Sequence, residues 1–246
     1  MYPIRDALTT PNDADRDMHA VAQALTQLYN DNAFRRVIYT ESHDEVANGK
    51  NRVAEEIMPG AADHWFAKKR STLGASLVMT APGIPMVFQG QEMLADGAFV
   101  DTEPVQWQRA EERGGLVGLY RDLISLRRNY HGTTRGLSGQ HTQVFHVNND
   151  EKLVAFARQA GKGGPGDTTL VLANFANQGH DAYTIGLPGP GTWTVRFNSD
   201  WQGYDGEFGD MPSFGMEAEA GEYDGFEWHG RIGIAPYAVL ILSQEG

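Results

Sequence analysis

The sequence predicts two joined units of different class: an α/β unit over residues 1–132 and an all-β antiparallel sandwich over residues 133–246. Three observations carry that division. Residues 1–130 alternate helical apolar patterns with short apolar strands, the rhythm of parallel βα units. After Gly132 the helical spacing stops, and β-branched and aromatic runs follow one another with turn residues between them. A chain of 246 residues, 41% hydrophobic and 21% charged, can bury a core as one large domain or two ordinary ones.

The first dozen residues read as loop, with Thr9-Thr10-Pro11-Asn12-Asp13 as turn chemistry before a helix start. Met18, Val21, Ala22, Leu25, Leu28 and Tyr29 then repeat at helical spacing and predict an amphipathic helix. Residues 36–40 predict a strand, and a polar loop follows as far as Pro59 and Gly60. A second helix is expected from His64 to Met79, stopped by Ala81-Pro82-Gly83. The run Ile84–Phe88 is apolar on both faces, which predicts a buried parallel strand with Pro85 at its start. A third helix is expected over residues 115–129, with Arg127 and Arg128 at the end where cations suit the helix dipole.

In the second unit, strands are expected at residues 144–147, 153–158, 169–174, 182–185, 193–197 and 238–242. The stretch Gly161–Gly166 is rich enough in glycine to suggest a phosphate cradle. It joins two strands with no helix after it, so a hairpin loop is the expectation.

A formal charge of -12 argues against nucleic acid as a partner, since no basic patch is available to displace counterions. A neutral substrate is compatible with it. The absence of cysteine removes disulfides, thiolate metal sites and cysteine nucleophiles. No basic leader and no membrane-length apolar run are visible, which makes a cytoplasmic protein with no membrane partner the default expectation.

Chemistry concentrates at two strand ends. The first strand runs into Glu41-Ser42-His43-Asp44-Glu45, and the second into Gln89-Gly90-Gln91-Glu92. In barrels of alternating strands and helices, the C-terminal strand ends share one mouth and carry the reaction. Taken alone, His43 and Asp44 could equally be a capping pair.

Together the two stretches resemble the α-amylase family of glycoside hydrolases, and within it the glucan branching enzymes. The Glu-Ser-His-Asp run resembles the end of the seventh barrel strand of that family. Gly83, Pro85, Gly90 and Glu92 match its Gly-x-Pro-x-x-x-x-Gly-x-Glu pattern around the eighth. Ala173-Asn174-Phe175, Phe197-Asn198-Ser199-Asp200 and Ile234-Ala235-Pro236-Tyr237 are similar to its C-terminal β domain.

The resemblance implies an incomplete C-terminal portion of a (β/α)8 barrel followed by the β-sandwich. It implies that Asp44 is a catalytic carboxylate, gripping sugar hydroxyls and stabilising an oxocarbenium-like transition state. His43 would bind the same ring, with Glu41 and Glu45 as substrate-binding or supporting residues. Gly83, Pro85, Gly90 and Glu92 would shape the barrel mouth. The nucleophile and the acid/base would lie on earlier barrel strands, so this stretch alone is expected to be inactive. The implied partners are α-glucans such as glycogen and amylose, and the missing N-terminal part of the barrel; no metal or organic cofactor is implied.

Two other readings share these residues. α-Amylases and related α-glucan hydrolases or transferases carry the same two motifs. A non-catalytic glucan-binding protein would instead use Trp193, Trp201, Tyr204 and Trp228 as stacking platforms, although those side chains could equally fill the sandwich core. Trp107 is open in the same way, as a buried aromatic or a sugar platform.

Overall fold

A computed structural model describes residues 1–47, 49–161 and 166–245. Its first half runs α1 (Tyr2–Thr9), α2 (Met18–Thr26), β1 (Val37–Ile38), α3 (Val53–Ile57), α4 (Trp65–Thr80), β2 (Ile84–Pro85), α5 (Gln108–Glu112) and α6 (Gly114–Arg127). The expected helices at 64–79 and 115–129 are therefore present within two residues at each end.

Two segments expected as loop need correction. Residues 2–9 are helix and not loop: Pro3 lies in the first turn, where its missing N–H costs nothing, and Ile4, Ala7 and Leu8 turn one apolar face inward. Part of the expected loop before Pro59 is also helical, because Val53, Ala54 and Ile57 bury a short apolar stripe.

β1 and β2 pair in parallel, Val37 with Ile84 and Ile38 with Pro85. The amides of Ile84 and Met86 donate to the carbonyls of Arg36 and Ile38, each at 2.9 Å. Pro85 falls between them, so its missing N–H lies on the outer edge of the pair and breaks no ladder bond. The strand was expected to be buried on both faces. Instead Val37 and Ile84 are each 50% exposed, because no further strand covers them among the described residues. Gly83 carries φ +137°, and a Cβ there would meet Ile38 Cγ2 at 2.8 Å, so the close approach of the two strands requires glycine.

The second half is all antiparallel. β3 (His141–Asn148), β4 (Leu153–Gln159), β5 (Thr168–Asn174), β6 (His180–Leu187), β7 (Thr192–Asn198), β8 (Gly215–Glu217), β9 (Glu219–Tyr223), β10 (Phe226–Ile234) and β11 (Val239–Ser243) form two sheets. One has six strands in the order β3-β4-β5-β11-β7-β8; the other has three, in the order β6-β10-β9. β4 and β5 flank the glycine stretch and pair antiparallel, while residues 162–165 between them lie outside the described residues.

The six-stranded sheet is covered on both faces, which explains why β4, β5 and β11 read as unbroken apolar runs. Val154, Phe156, Val171, Ala173, Val239 and Ile241 pack against the helices with Leu25, Leu73, Leu77 and Leu126. Leu153, Ala155, Leu170, Leu172, Leu240 and Leu242 alternate to the other side and meet Ile185, Leu187 and Ile232 of the smaller sheet.

Polar side chains lock the helical layer to this sheet. Lys69 of α4 is fully buried with its Nζ 2.5 Å from Asp200 Oδ1, after β7. Asp200 also accepts from the amides of Gly209 and Met211 at 3.2 and 3.1 Å. At the other end of α4 the partners are arginines. Arg158 of β4 donates to the carbonyls of Thr80 and Leu137, and Arg127 to those of Ala81 and Gly83 at 2.6 and 2.5 Å. No described helix is long and apolar enough to cross a membrane.

Candidate functional site

The two chemistry-bearing loops leave β1 and β2 side by side. Gln91 Nε2 donates to Thr40 Oγ1 at 2.7 Å, inside the protein, and ties one strand end to the other. Arg5 Nε holds the Thr40 carbonyl at 3.1 Å from α1. Beyond Thr40 the backbone turns sharply, with the amides of Glu45 and Val46 both donating to the Ser42 carbonyl at 3.1 Å.

That turn sorts its acids. Glu41 is 3% exposed: its Oε1 accepts from the Val53 amide at 2.7 Å and its Oε2 from Arg52 Nη1 at 3.2 Å. Burial pushes this carboxyl above its ordinary range, with Arg52 and the Val53 amide pulling the other way. Glu45 also faces inward, held by Lys50 Nζ at 3.1 Å and the Tyr2 hydroxyl at 3.2 Å.

His43 and Asp44 project outward at the tip of the turn, with side chains 70% and 77% exposed and His43 Nε2 3.3 Å from Asp44 Oδ1. Within this turn, Asp44 is the one carboxylate free to meet a ligand. A retaining glycosidase needs two carboxyl groups about 5–5.5 Å apart across the scissile bond. Glu41 and Glu45 are already spent on internal partners, so this turn supplies one carboxylate of such a pair.

At the second strand end Gly90 sits at φ +85°, where a Cβ would strike Ala95, and lets the chain reverse into the Gln91–Met93 turn. Glu92 is half-buried, and its Oε2 is buried with no partner among the described residues. The Tyr120 hydroxyl is raised well above its ordinary value, chiefly by burial and then by the nearby charges of Glu41 and Glu92. The Arg52 guanidinium lies 4.9 Å from the Phe88 ring and spans both loops. Among the described residues, no group of three metal-binding side chains converges here or elsewhere.

The aromatics divide. Trp193 is buried in the core between the two sheets, Tyr204 is buried in the core between the helices and the larger sheet, and Trp228 is half-buried on β10. Trp107 and Trp201 are exposed, the latter by 51%. An open groove of about 310 Å³ runs along the outer side of β1, lined by Tyr2, Leu28, Tyr29, Val37 and Tyr39. The sequence reading missed Arg52 and Thr40, which hold the two loops together. Arg52 was readable only as one charge in a polar stretch, and Thr40 only as a strand end.

Residues 144–245 match the family described as "Alpha amylase, C-terminal all-beta domain". The second half of this chain is similar to that domain over almost its whole length. The likeness extends beyond it. A 1,4-alpha-glucan branching enzyme from Oceanobacillus iheyensis is 29% identical over 83% of this chain and 32% of its own length. A branching enzyme from Frankia casuarinae is 28% identical over 92% of this chain and 27% of its own length. The chain therefore spans about a third or less of the curated relatives it matches. In solved structures, the fold is similar over 100% of this chain to 35% of a pullulanase from Anoxybacillus sp. LM18-11, with TM-score 0.66 at 18% identity. A type I pullulanase from Bacillus subtilis matches over the same shares, with TM-score 0.67 at 15% identity. The α-amylase-type all-β domain and its preceding helices thus form one structural piece shared with larger enzymes.

Proposed function

We propose that this chain acts as the C-terminal part of a 1,4-α-glucan branching enzyme. Residues 1–132 would complete a (β/α)8 barrel whose other strands come from elsewhere, and residues 133–246 would form the β-sandwich that buttresses it. The observation that carries this reading is a branching-enzyme likeness running over 92% of the chain, through both strand-end loops and the sandwich.

In that assembly Asp44 grips the hydroxyls of the glucosyl ring and offsets positive charge as the oxocarbenium-like transition state forms. His43, beside it, hydrogen-bonds the same ring. Glu41 works one step back: clamped to Arg52 and the Val53 amide, it fixes the turn that presents Asp44. Gly83, Pro85, Gly90 and Glu92 shape the neighbouring strand end. The nucleophile and the acid/base come from the remainder of the barrel, and the substrate is an α-1,4-glucan such as amylose or glycogen. The open edge of β1, with Val37 half exposed, is where a preceding barrel strand would lie. The cytoplasm is the compartment this reading assigns.

Two incubations with amylose test it, scoring new α-1,6 branches and new reducing ends. The chain alone should produce neither. Substituted for the matching segment of the Oceanobacillus enzyme, it should support branching that falls roughly a hundredfold or more with Asp44→Asn. Turnover by the chain alone would place the whole reaction among its own carboxylates. New reducing ends without branches from the chimera would favour a hydrolase.

A further inference from the structure

A second site lies away from the strand-end loops, on the sandwich. Between β7 and the segment that leads into β8, an open cleft of about 430 Å³ is lined by Arg196, Asn198, Trp201, Asp210 and Phe214 among others. That volume falls in the range of small-molecule sites.

Its aromatic surface is unusually bare. Trp201 is 51% exposed and Phe214 86% exposed, although both stand beside a well-packed sheet. Neither is on a loose tip. The Trp201 indole meets Tyr204 edge-on with ring centroids 5.0 Å apart, and the Tyr204 hydroxyl is anchored to Asp122 Oδ2 at 2.7 Å. The Phe214 carbonyl accepts from the Val195 amide at 3.2 Å. Between them, Asp200 holds the amides of Gly209 and Met211, Asn198 Nδ2 holds the Met211 carbonyl at 3.2 Å, and Ser213 Oγ donates to the Gly233 carbonyl at 2.6 Å. The rim is fixed before any ligand arrives, which lowers the entropy cost of binding.

The polar groups left over define the ligand. Among the described residues, neither Trp201 Nε1 nor the Asp210 carboxylate has a hydrogen-bond partner, so one free donor and one free acceptor face outward beside two ring surfaces. Arg196 is engaged by Glu245 and by Ser243 Oγ, at 2.7 and 3.0 Å, so it offers little to an anion. Its charge offsets that of Asp210 against a cation. A ligand that fits is uncharged, has flat apolar faces, and carries hydroxyls at its edge.

We propose that this cleft is a second carbohydrate-binding site, taking pyranose rings of a neutral oligosaccharide stacked on Trp201 and Phe214. The branching-enzyme reading enters only in choosing an α-glucan as the first probe. The site would hold a chain remote from the strand-end loops and raise its local concentration there.

Calorimetric titration of the whole chain with maltoheptaose, and separately with cellohexaose, tests it. Binding of maltoheptaose should weaken roughly tenfold in Trp201→Ala and in Phe214→Ala. Trp201→Tyr should retain most of it. Phe214 is almost free of packing, so its variant tests the cleft even if Trp201→Ala folds poorly. Trp201-dependent binding of cellohexaose alone would keep the cleft and remove the α-glucan reading. Binding lost with Asp44→Asn but retained in both aromatic variants, or no binding of either sugar, would overturn the proposal.

Discussion

Glu41 shows how a carboxylate can matter to a site without meeting the ligand. Its folded carboxyl is raised above the ordinary 4.5 because burial outweighs Arg52 and the Val53 amide. A group raised on folding contributes stability that is fully present below its unfolded pKa and is lost as pH rises through its folded pKa. Urea unfolding from pH 4.5 upward should therefore show the native chain losing stability relative to Glu41→Gln as Glu41 ionises in the fold. Parallel curves for the two proteins would mean that Arg52 neutralises the carboxylate fully. His43 and Asp44, by contrast, are exposed at the tip of the turn. This difference between neighbours was not legible in the sequence, where Glu41, Asp44 and Glu45 are three acids in five residues. Only the approach of Arg52, Lys50 and Tyr2 separates them.

At the scale of elements, α4 is the axis of the molecule, buried along most of its length between the other helices and the six-stranded sheet. Its C-terminal carbonyls are capped by arginines and by no lysine or histidine among the described residues. Arg127 reaches Met79, Ala81 and Gly83; Arg36 reaches Pro82; Arg158 reaches Thr80. Arg127→Met removes three of those contacts and should cost about 1–3 kcal/mol in chemical denaturation, since charged hydrogen bonds to partly buried carbonyls are lost. A loss below about 0.5 kcal/mol would mean that water replaces the guanidinium.

The helices α4 and α6 and the strands β4, β5 and β11 were readable because their apolar residues are dense and regularly spaced. β8, β9 and much of β10 were not. Their run from Gly215 to His229 carries five acids and few aliphatic residues, and β9 is almost wholly solvent-facing. Asp224-Gly225, with φ of +53° and +78°, was the usable signal: an Asp-Gly turn of this kind joins two-residue hairpins. The helix at residues 2–9 was hidden differently, because Pro3 reads as a breaker until it is placed in a first turn.

At the scale of the whole molecule, the two-stranded parallel pair is the unfinished feature. Parallel pairs are ordinarily covered on both faces and flanked by further strands. Here Val37, Ile84, Phe34, Leu28, Tyr29 and Tyr2 remain exposed around it. Unpaired backbone and apolar side chains at a sheet edge promote association with another chain. Sedimentation should show concentration-dependent self-association of the isolated chain, reduced in Val37→Lys. Monomeric behaviour across the accessible range, with Val37→Lys making no difference, would show that the helices protect this edge sufficiently.

The two ends of α4 differ in a way that decides where the molecule would come apart. Near its N-terminus the helix is fastened by ion pairs that need a carboxylate, Lys69 with Asp200 and Lys68 with Asp205 and Glu207. Near its C-terminus it is fastened by guanidinium on carbonyl oxygen, with no carboxylate taking part. Desolvation brings Arg158 down to about 9 and Arg127 to about 10, which still leaves both protonated at neutral pH and below. Removing the carboxylate at one end alone, as in Asp200→Asn, would therefore let the molecule come open like a hinged lid. The seam around residue 200, which also shapes the rim beside Trp201, parts first, while the arginine end serves as the pivot.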